Sequence, residues 1–159
     1  MNSKYFLTVL TLLTLSNVPT YAQASDVEFN SNVNTTCSIN VTRNGTLRTA
    51  TNARILTSSG AGAGGVHGTA SVTATSNNFR LYVDQPTGFT SRPAADTEPD
   101  QLLRARMRSS GATTFGFTTN NRPLNSGISN VTVEFYARKA AGKSFADGNY
   151  TATVVIRCE

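Results

Sequence analysis

The chain has 159 residues, with 14 basic against 9 acidic side chains and a formal net charge of +5. This length suits one folded domain behind a short leader, and so mild a charge favours scattered, solvated side chains over a nucleic-acid partner. One histidine and two cysteines do not supply the ligands of a structural zinc site, and no nucleophile motif accompanies the histidine, so we predict no enzyme, no metal and no cofactor.

The first 24 residues have the pattern of a signal peptide. Lys4 supplies the positive start, residues 5–15 form a mostly apolar run, and Ala22-Gln23-Ala24 offers small residues for cleavage. The run is too short to span a bilayer. We therefore predict a signal peptide at residues 1–24, with a cut after Ala22 as the alternative, and a single exported domain at residues 25–159.

Short stretches of alternating apolar residues, separated by turn residues, recur along the body of the chain. They lie at residues 26–33, 38–41, 66–74, 79–84 and around 131–135. Between them, Ser58–Gly65 is so rich in glycine that we expect an exposed loop. Six to eight short strands with turns between them predict an all-β fold, specifically a β-sandwich.

Residues 100–108 are compatible with either a helix or a strand. A strand is favoured because the surrounding sequence reads as β, and it would place Leu103, Ala105 and Met107 inward. Arg104, Arg106 and Arg108 would then form an outward ladder. Such a ladder is a candidate contact for an anionic glycan or an acidic partner, although an outward strand face is often simply charged.

Three acidic residues precede this stretch at alternate positions, Asp96, Glu98 and Asp100. Clustered carboxylates are typical Ca²⁺ ligands. A solvated acidic loop is the commoner outcome for such a pattern, and it is the one that we expect here.

The end of the chain predicts a turn followed by one last strand. Asp147-Gly148-Asn149 is typical of a tight turn. After it, every second residue is apolar, namely Tyr150, Ala152, Val154 and Ile156. Because Glu159 is the last residue of the sequence, we expect no later strand to cover this one, and an uncovered apolar strand edge invites pairing with another chain.

The two cysteines, Cys37 and Cys158, lie near the start and at the end of the predicted domain. In an oxidising compartment an even pair most simply forms one disulfide. Closing so long a loop would remove unfolded-state entropy worth about 4–5 kcal/mol.

Three stretches of this sequence resemble subunits of chaperone/usher pili, particularly the spore-coat-U-like archaic branch. An alternating strand leads into a cysteine at residues 26–39, the stretch 68–83 is similar to the strand pair after the first loop, and 148–156 is similar to the last strand. These stretches are spread from the beginning to the end of the predicted domain.

The resemblance implies an immunoglobulin-like, pilin-type sandwich that lacks its final strand. A periplasmic chaperone fills the gap until the N-terminal arm of the next subunit replaces it at an outer-membrane usher. Tyr150, Ala152, Val154 and Ile156 would then line the acceptor groove. The donor arm would carry Val27 and Phe29, and the product would be a surface fimbria.

Two features depart from the family pattern. The family's second cysteine usually falls where this chain has Thr75-Ser76, so a bridge from Cys37 to Cys158 would narrow or lock the groove. Only 12 residues separate Ser25 from Cys37, which leaves little length for a donor arm.

Two alternatives to an ordinary fibre subunit follow. One is a subunit that caps a fibre. The other is a self-contained adhesin or lectin that binds a host surface or glycan through the loops at 60–65 and 92–100.

Overall fold

The computed structural model describes residues 34–60 and 64–159, together with Glu28 and Ser31, and within these residues every regular element is a β-strand. There are ten strands: β1 (Cys37–Arg43), β2 (Arg48–Ala50), β3 (Ile55–Thr57), β4 (Gly68–Ala74), β5 (Arg80–Val83), β6 (Asp100–Gly111), β7 (Phe115–Thr118), β8 (Arg122–Pro123), β9 (Gly127–Lys139) and β10 (Ile156–Cys158). They form two antiparallel sheets of seven and three strands. The predicted all-β class is therefore confirmed.

The larger sheet is organised around β9, which is long enough to pair with three other strands. One edge of β9 pairs first with β4, where Val131 lies opposite Ala70, and then with β3, where Ala137 lies opposite Leu56. The other edge pairs with β6, where Phe135 lies opposite Ala105. Outside these strands lie β1 on β4, β2 on β3 and β7 on β6, which completes the sheet.

The smaller sheet has the order β10-β5-β8. Its pairing brings the end of the chain beside the middle, with Ile156 opposite Val83 and Cys158 opposite Leu81. We call residues 150–158 the C-terminal segment.

The core lies between the inward faces of both sheets, as in a β-sandwich. One cluster contains buried residues of β4, β5, β6 and β9, together with Leu124 after β8: Val72, Ala74, Leu81, Val83, Ala105, Met107, Leu124 and Val131. A second cluster contains Leu56, Phe135, Ala137 and Phe145. Ala105 and Met107 are fully buried, so the strand prediction for residues 100–108 is confirmed.

The predicted last strand is only partly correct. The ladder with β5 begins at Ile156, and upstream of it Thr151 makes an isolated bridge with Ser91. Between these points the facing chain, Gln85-Pro86-Thr87-Gly88, departs from the strand, because proline has no N–H to donate to a ladder.

Some predictions fall outside the described residues or remain untested. The predicted signal peptide lies outside them, as do Val27 and Phe29 of the predicted donor arm. Within the described residues there is no helix long and apolar enough to cross a membrane.

Candidate functional site

A cleft of about 640 Å³ lies between the two sheets, where the outer edge of β1 faces the C-terminal segment. One wall comes from the larger sheet and the connection after β1; it includes Val41, Arg43, Asn44, Gly45, Thr46, Leu47, Ser58, Gly68, Thr69, Ala70, Val133 and Phe135. The other wall is the C-terminal segment, from Tyr150 to Val154 and Ile156.

The C-terminal segment presents alternate side chains to this cleft. Tyr150, Ala152, Val154 and Ile156 are half-buried and line the cleft, whereas Thr151, Thr153, Val155 and Arg157 are exposed. The structure therefore brings together along the cleft the four residues to which the resemblance assigns an acceptor groove, and that role stays a prediction. The alternation of half-buried and exposed side chains continues through residues 152–155, although these residues form no hydrogen-bonded ladder.

The backbone of the C-terminal segment uses only one of its two edges. Asp84 N donates to Val155 O (2.9 Å), and Thr151 N donates to Ser91 O (2.9 Å). In an antiparallel pair, alternate residues direct their N–H and C=O groups to opposite edges. Ala152 and Val154 therefore direct theirs towards the cleft, and no backbone hydrogen bond from residues 34–60 or 64–159 reaches them.

The opposite wall of the cleft has a matching edge on β1, with which no described strand other than β4 pairs. Thr75 N donates to Thr36 O (3.0 Å), so Thr36 and every second residue after it direct their backbone groups towards β4. The intervening residues, Ile39 and Val41, direct their backbone groups away from β4. Val41 belongs to the inward-facing set of β1 and yet is 62% exposed, because no described strand covers it.

A disulfide joins Cys37 to Cys158, as the sequence predicts. It connects the start of β1 to β10, with a Cα–Cα distance of 6.2 Å. Ile39, Val154 and Ile156 pack against the core beside it. The two walls of the cleft are therefore joined at the disulfide, and the lining of the cleft extends from there to Val41 and Tyr150.

Near Tyr150, a cluster of buried charges holds in place residues 92–100, which lead into β6. Lys139 is fully buried, and its Nζ lies 2.8 Å from Asp96 Oδ1 and 3.0 Å from Asp100 Oδ1. It also donates to the carbonyl of Glu98 and lies 4.8 Å from the centre of the Phe145 ring. Arg92 adds a second positive charge, 2.9 Å from Asp100 Oδ2.

The cluster corrects the prediction of a solvated acidic loop for two of its three carboxylates, whereas the Glu98 side chain is 42% exposed. The side chains of Asp96 and Asp100 are only 1% and 5% exposed, because each is paired with Lys139. Among the described residues no group of acidic, cysteine or histidine side chains is arranged to hold a metal ion. Lys139 is the residue that sequence reasoning missed, although it continues the inward-facing set Val131, Val133, Phe135 and Ala137.

Tyr150 connects the charge cluster with the cleft. Its hydroxyl donates to the carbonyl of Ala146 (3.0 Å), and its ring packs edge-on against Phe89 and Phe145. Burial, followed by the negative charge of Asp96, raises the pKa of Tyr150 to about 12. The neutral phenol is thus favoured, and the cleft is bounded here by an uncharged aromatic side chain.

The arginine ladder of β6 lies on the outer face of the larger sheet, away from the cleft. Arg104 stacks over Tyr136, whereas Arg106 and Arg108 both stack over Phe117, at 5.0–5.5 Å from the ring centres. Arg106 is also paired with Glu134 (2.5 Å), which is buried. The aromatic rings hold these guanidinium groups in place, and a role in binding an anionic partner stays a prediction.

Of the two loops considered for a binding module, residues 92–100 are fastened through Asp96 and Asp100, whereas residues 61–63 of the other lie outside the described residues. No protein-family model matches the chain, and no curated protein matches it.

Proposed function

We propose that this protein is an exported structural subunit of a surface pilus, assembled by strand complementation. In this proposal the domain is an immunoglobulin-like sandwich of the pilin type whose final strand is supplied by another polypeptide. The observation that carries the proposal is the cleft, which lies between two strand edges with which no other described strand pairs and along which Tyr150, Ala152, Val154 and Ile156 are half-buried at alternate positions.

An extended peptide has the chemistry to fill such a cleft. Its backbone would pair with Ala152 and Val154 on one side and with Ile39 and Val41 on the other, which is β-strand addition. Each hydrogen bond would contribute about 0.5–1.5 kcal/mol. Alternate apolar side chains of the peptide would cover Val41, which no described strand covers, and would thereby bury apolar surface.

The occupants follow from the same proposal. The donor in a fibre is the arm of a neighbouring subunit, and Val27 and Phe29 alternate in the corresponding part of this chain. Before assembly, a periplasmic chaperone would cover the cleft, and an outer-membrane usher would exchange it for the donor arm. The protein would act through this binding alone, without catalysis.

The proposal predicts that a donor peptide stabilises the folded protein. We would purify residues 25–159 and measure thermal unfolding with and without a peptide of residues 25–34. At a hundredfold excess over Kd, linkage gives about 2.7 kcal/mol, which for a domain of this size raises Tm by roughly 10 °C. A matched peptide carrying Val27→Asp and Phe29→Asp is expected to give no increase. A high Tm that neither peptide changes would contradict the proposal.

A second prediction locates the binding in the cleft. Ala152→Arg would place a large cation against the apolar lining, so we expect it to abolish the peptide-induced rise in Tm. Val155→Arg is the matched control, because Val155 is 48% exposed and does not line the cleft. Equal stabilisation of both variants by the peptide would show that it binds elsewhere.

The second candidate function is a self-contained binding module. The observation that favours it is the set of Arg104, Arg106 and Arg108 stacked on aromatic rings, since guanidinium groups fixed in this way suit a carboxylated or sulfated glycan. A protein that melts at high temperature, ignores the donor peptide and loses glycan binding on Arg104→Ala and Arg108→Ala would support this candidate.

A further inference from the structure

The disulfide closes one end of the cleft to any inserted strand. Adjacent strands in a sheet lie about 4.8 Å apart, so two strands with a third between them are separated by nearly 10 Å. The Cα atoms of Cys37 and Cys158 are 6.2 Å apart. A strand that enters between β1 and the C-terminal segment must therefore end before it reaches the disulfide.

The part of the cleft that remains open has a defined length. It extends from Tyr150 to Ile156 along the C-terminal segment, and neither cysteine belongs to its lining. Seven residues of an extended chain measure about 20–23 Å. At period two, a strand of this length turns four side chains inward, which matches the four half-buried residues from Tyr150 to Ile156.

We infer that the Cys37–Cys158 disulfide is a stop that limits the inserted strand to about seven residues; this inference rests on the proposed function. The occupant to which it commits is residues 27–33 of a second copy of this chain. That stretch has seven residues, with Val27, Phe29 and Val33 in the alternating positions. It is followed by only three residues before β1 begins at Cys37.

The stop also fixes the orientation of the strand. A donor arm remains attached to its own subunit through residues 34–36, so the attached end must leave the cleft where it is open, beside Tyr150. The free end, near Ser25, then points towards the disulfide. The donor strand consequently runs antiparallel to the C-terminal segment and parallel to β1.

A series of peptides of increasing length tests the inference. The three peptides are residues 29–33, residues 27–33, and residues 27–33 preceded by Thr-Val-Thr-Val. Their affinities are measured for the oxidised protein and for the double variant Cys37→Ser, Cys158→Ser. We expect the second peptide to bind roughly tenfold more tightly than the first on both proteins, because it adds two residues of strand pairing. The third is expected to gain a further tenfold on the double variant only.

Each other outcome has a definite meaning. A gain from the second to the third peptide on the oxidised protein would overturn the stop, and so would a plateau at seven residues on both proteins. Binding of no peptide to either protein would overturn the proposed function, and the inference would fall with it. If the double variant does not fold, the oxidised protein alone decides, because the stop requires the affinity to level off at the second peptide.

Discussion

Replacing Lys139 with alanine is expected to lower the free energy of unfolding by about 3–5 kcal/mol, since it leaves buried carboxylates without their partner. Asp96 and Asp100 are almost completely buried, and each has an oxygen within 3.0 Å of the lysine Nζ. Arg92 alone would then face two negative charges, with its nitrogens 2.9 and 3.8 Å from their oxygens. Urea denaturation followed by far-UV circular dichroism measures the loss.

Lys143→Ala is the matched control for this experiment. Lys143 also forms an ion pair, with Glu98 (2.6 Å), but both side chains are about half exposed. Exposed pairs of this kind contribute little, about 0–1 kcal/mol. A loss at Lys139 no greater than that at Lys143 would mean that the buried cluster does not fasten the segment before β6.

Removal of the disulfide is the other change with a large expected effect. Cys37 and Cys158 are 121 residues apart in sequence, so their bond constrains nearly the whole domain in the unfolded state. The chain-entropy relation gives about 4–5 kcal/mol for such a loop. We expect the double variant Cys37→Ser, Cys158→Ser to lose most of this stability while keeping the two sheets, because both cysteines lie at the margin of the core and neither is among its buried residues.

Chemical reduction of the unsubstituted protein provides the control for the serine substitutions. Denaturation midpoints of the reduced protein and of the double variant should agree, and both should lie well below that of the oxidised protein. A decrease of less than about 1 kcal/mol in either sample would contradict a mainly entropic role for the bond.

The sequence predicts those features that follow from the alternation of apolar and polar residues along a strand. The alternation of Leu103, Ala105 and Met107 with arginines correctly gave the orientation of β6. The alternation from Tyr150 to Ile156 likewise separates the half-buried side chains of the C-terminal segment from the exposed ones. In both stretches the side-chain pattern reflects which face meets the core, and that face is a local property of the chain.

The sequence does not predict what depends on distant partners. Whether residues 152–155 join a ladder is decided by the facing chain at Pro86, which lies more than sixty positions away. The burial of Asp96 and Asp100 is likewise decided by Lys139 in another strand. Read alone, three alternating carboxylates indicate a solvated loop, because an isolated buried carboxylate would be too costly.

The two ends of the cleft differ in ways that matter for strand addition. At one end a covalent bond joins the walls, so the cleft is held together there without an inserted strand. At the other end Tyr150, Phe89 and Phe145 form an aromatic cluster that continues into the buried charges around Lys139. A donor strand would thus enter beside Tyr150, where the aromatic cluster holds only the C-terminal wall in place, and would run towards the end that the disulfide joins.

Amide hydrogen exchange in the C-terminal segment tests strand insertion most directly. Residues 25–159 are labelled in deuterated water with and without the peptide of residues 27–33, and individual amides are resolved by nuclear magnetic resonance. The proposal predicts that the peptide strongly slows exchange at Ala152 and Val154, whose N–H groups face the cleft, and changes it little at Thr151, which is already bonded to Ser91. Unchanged exchange at Ala152 and Val154 in a saturated complex would contradict strand addition in this cleft.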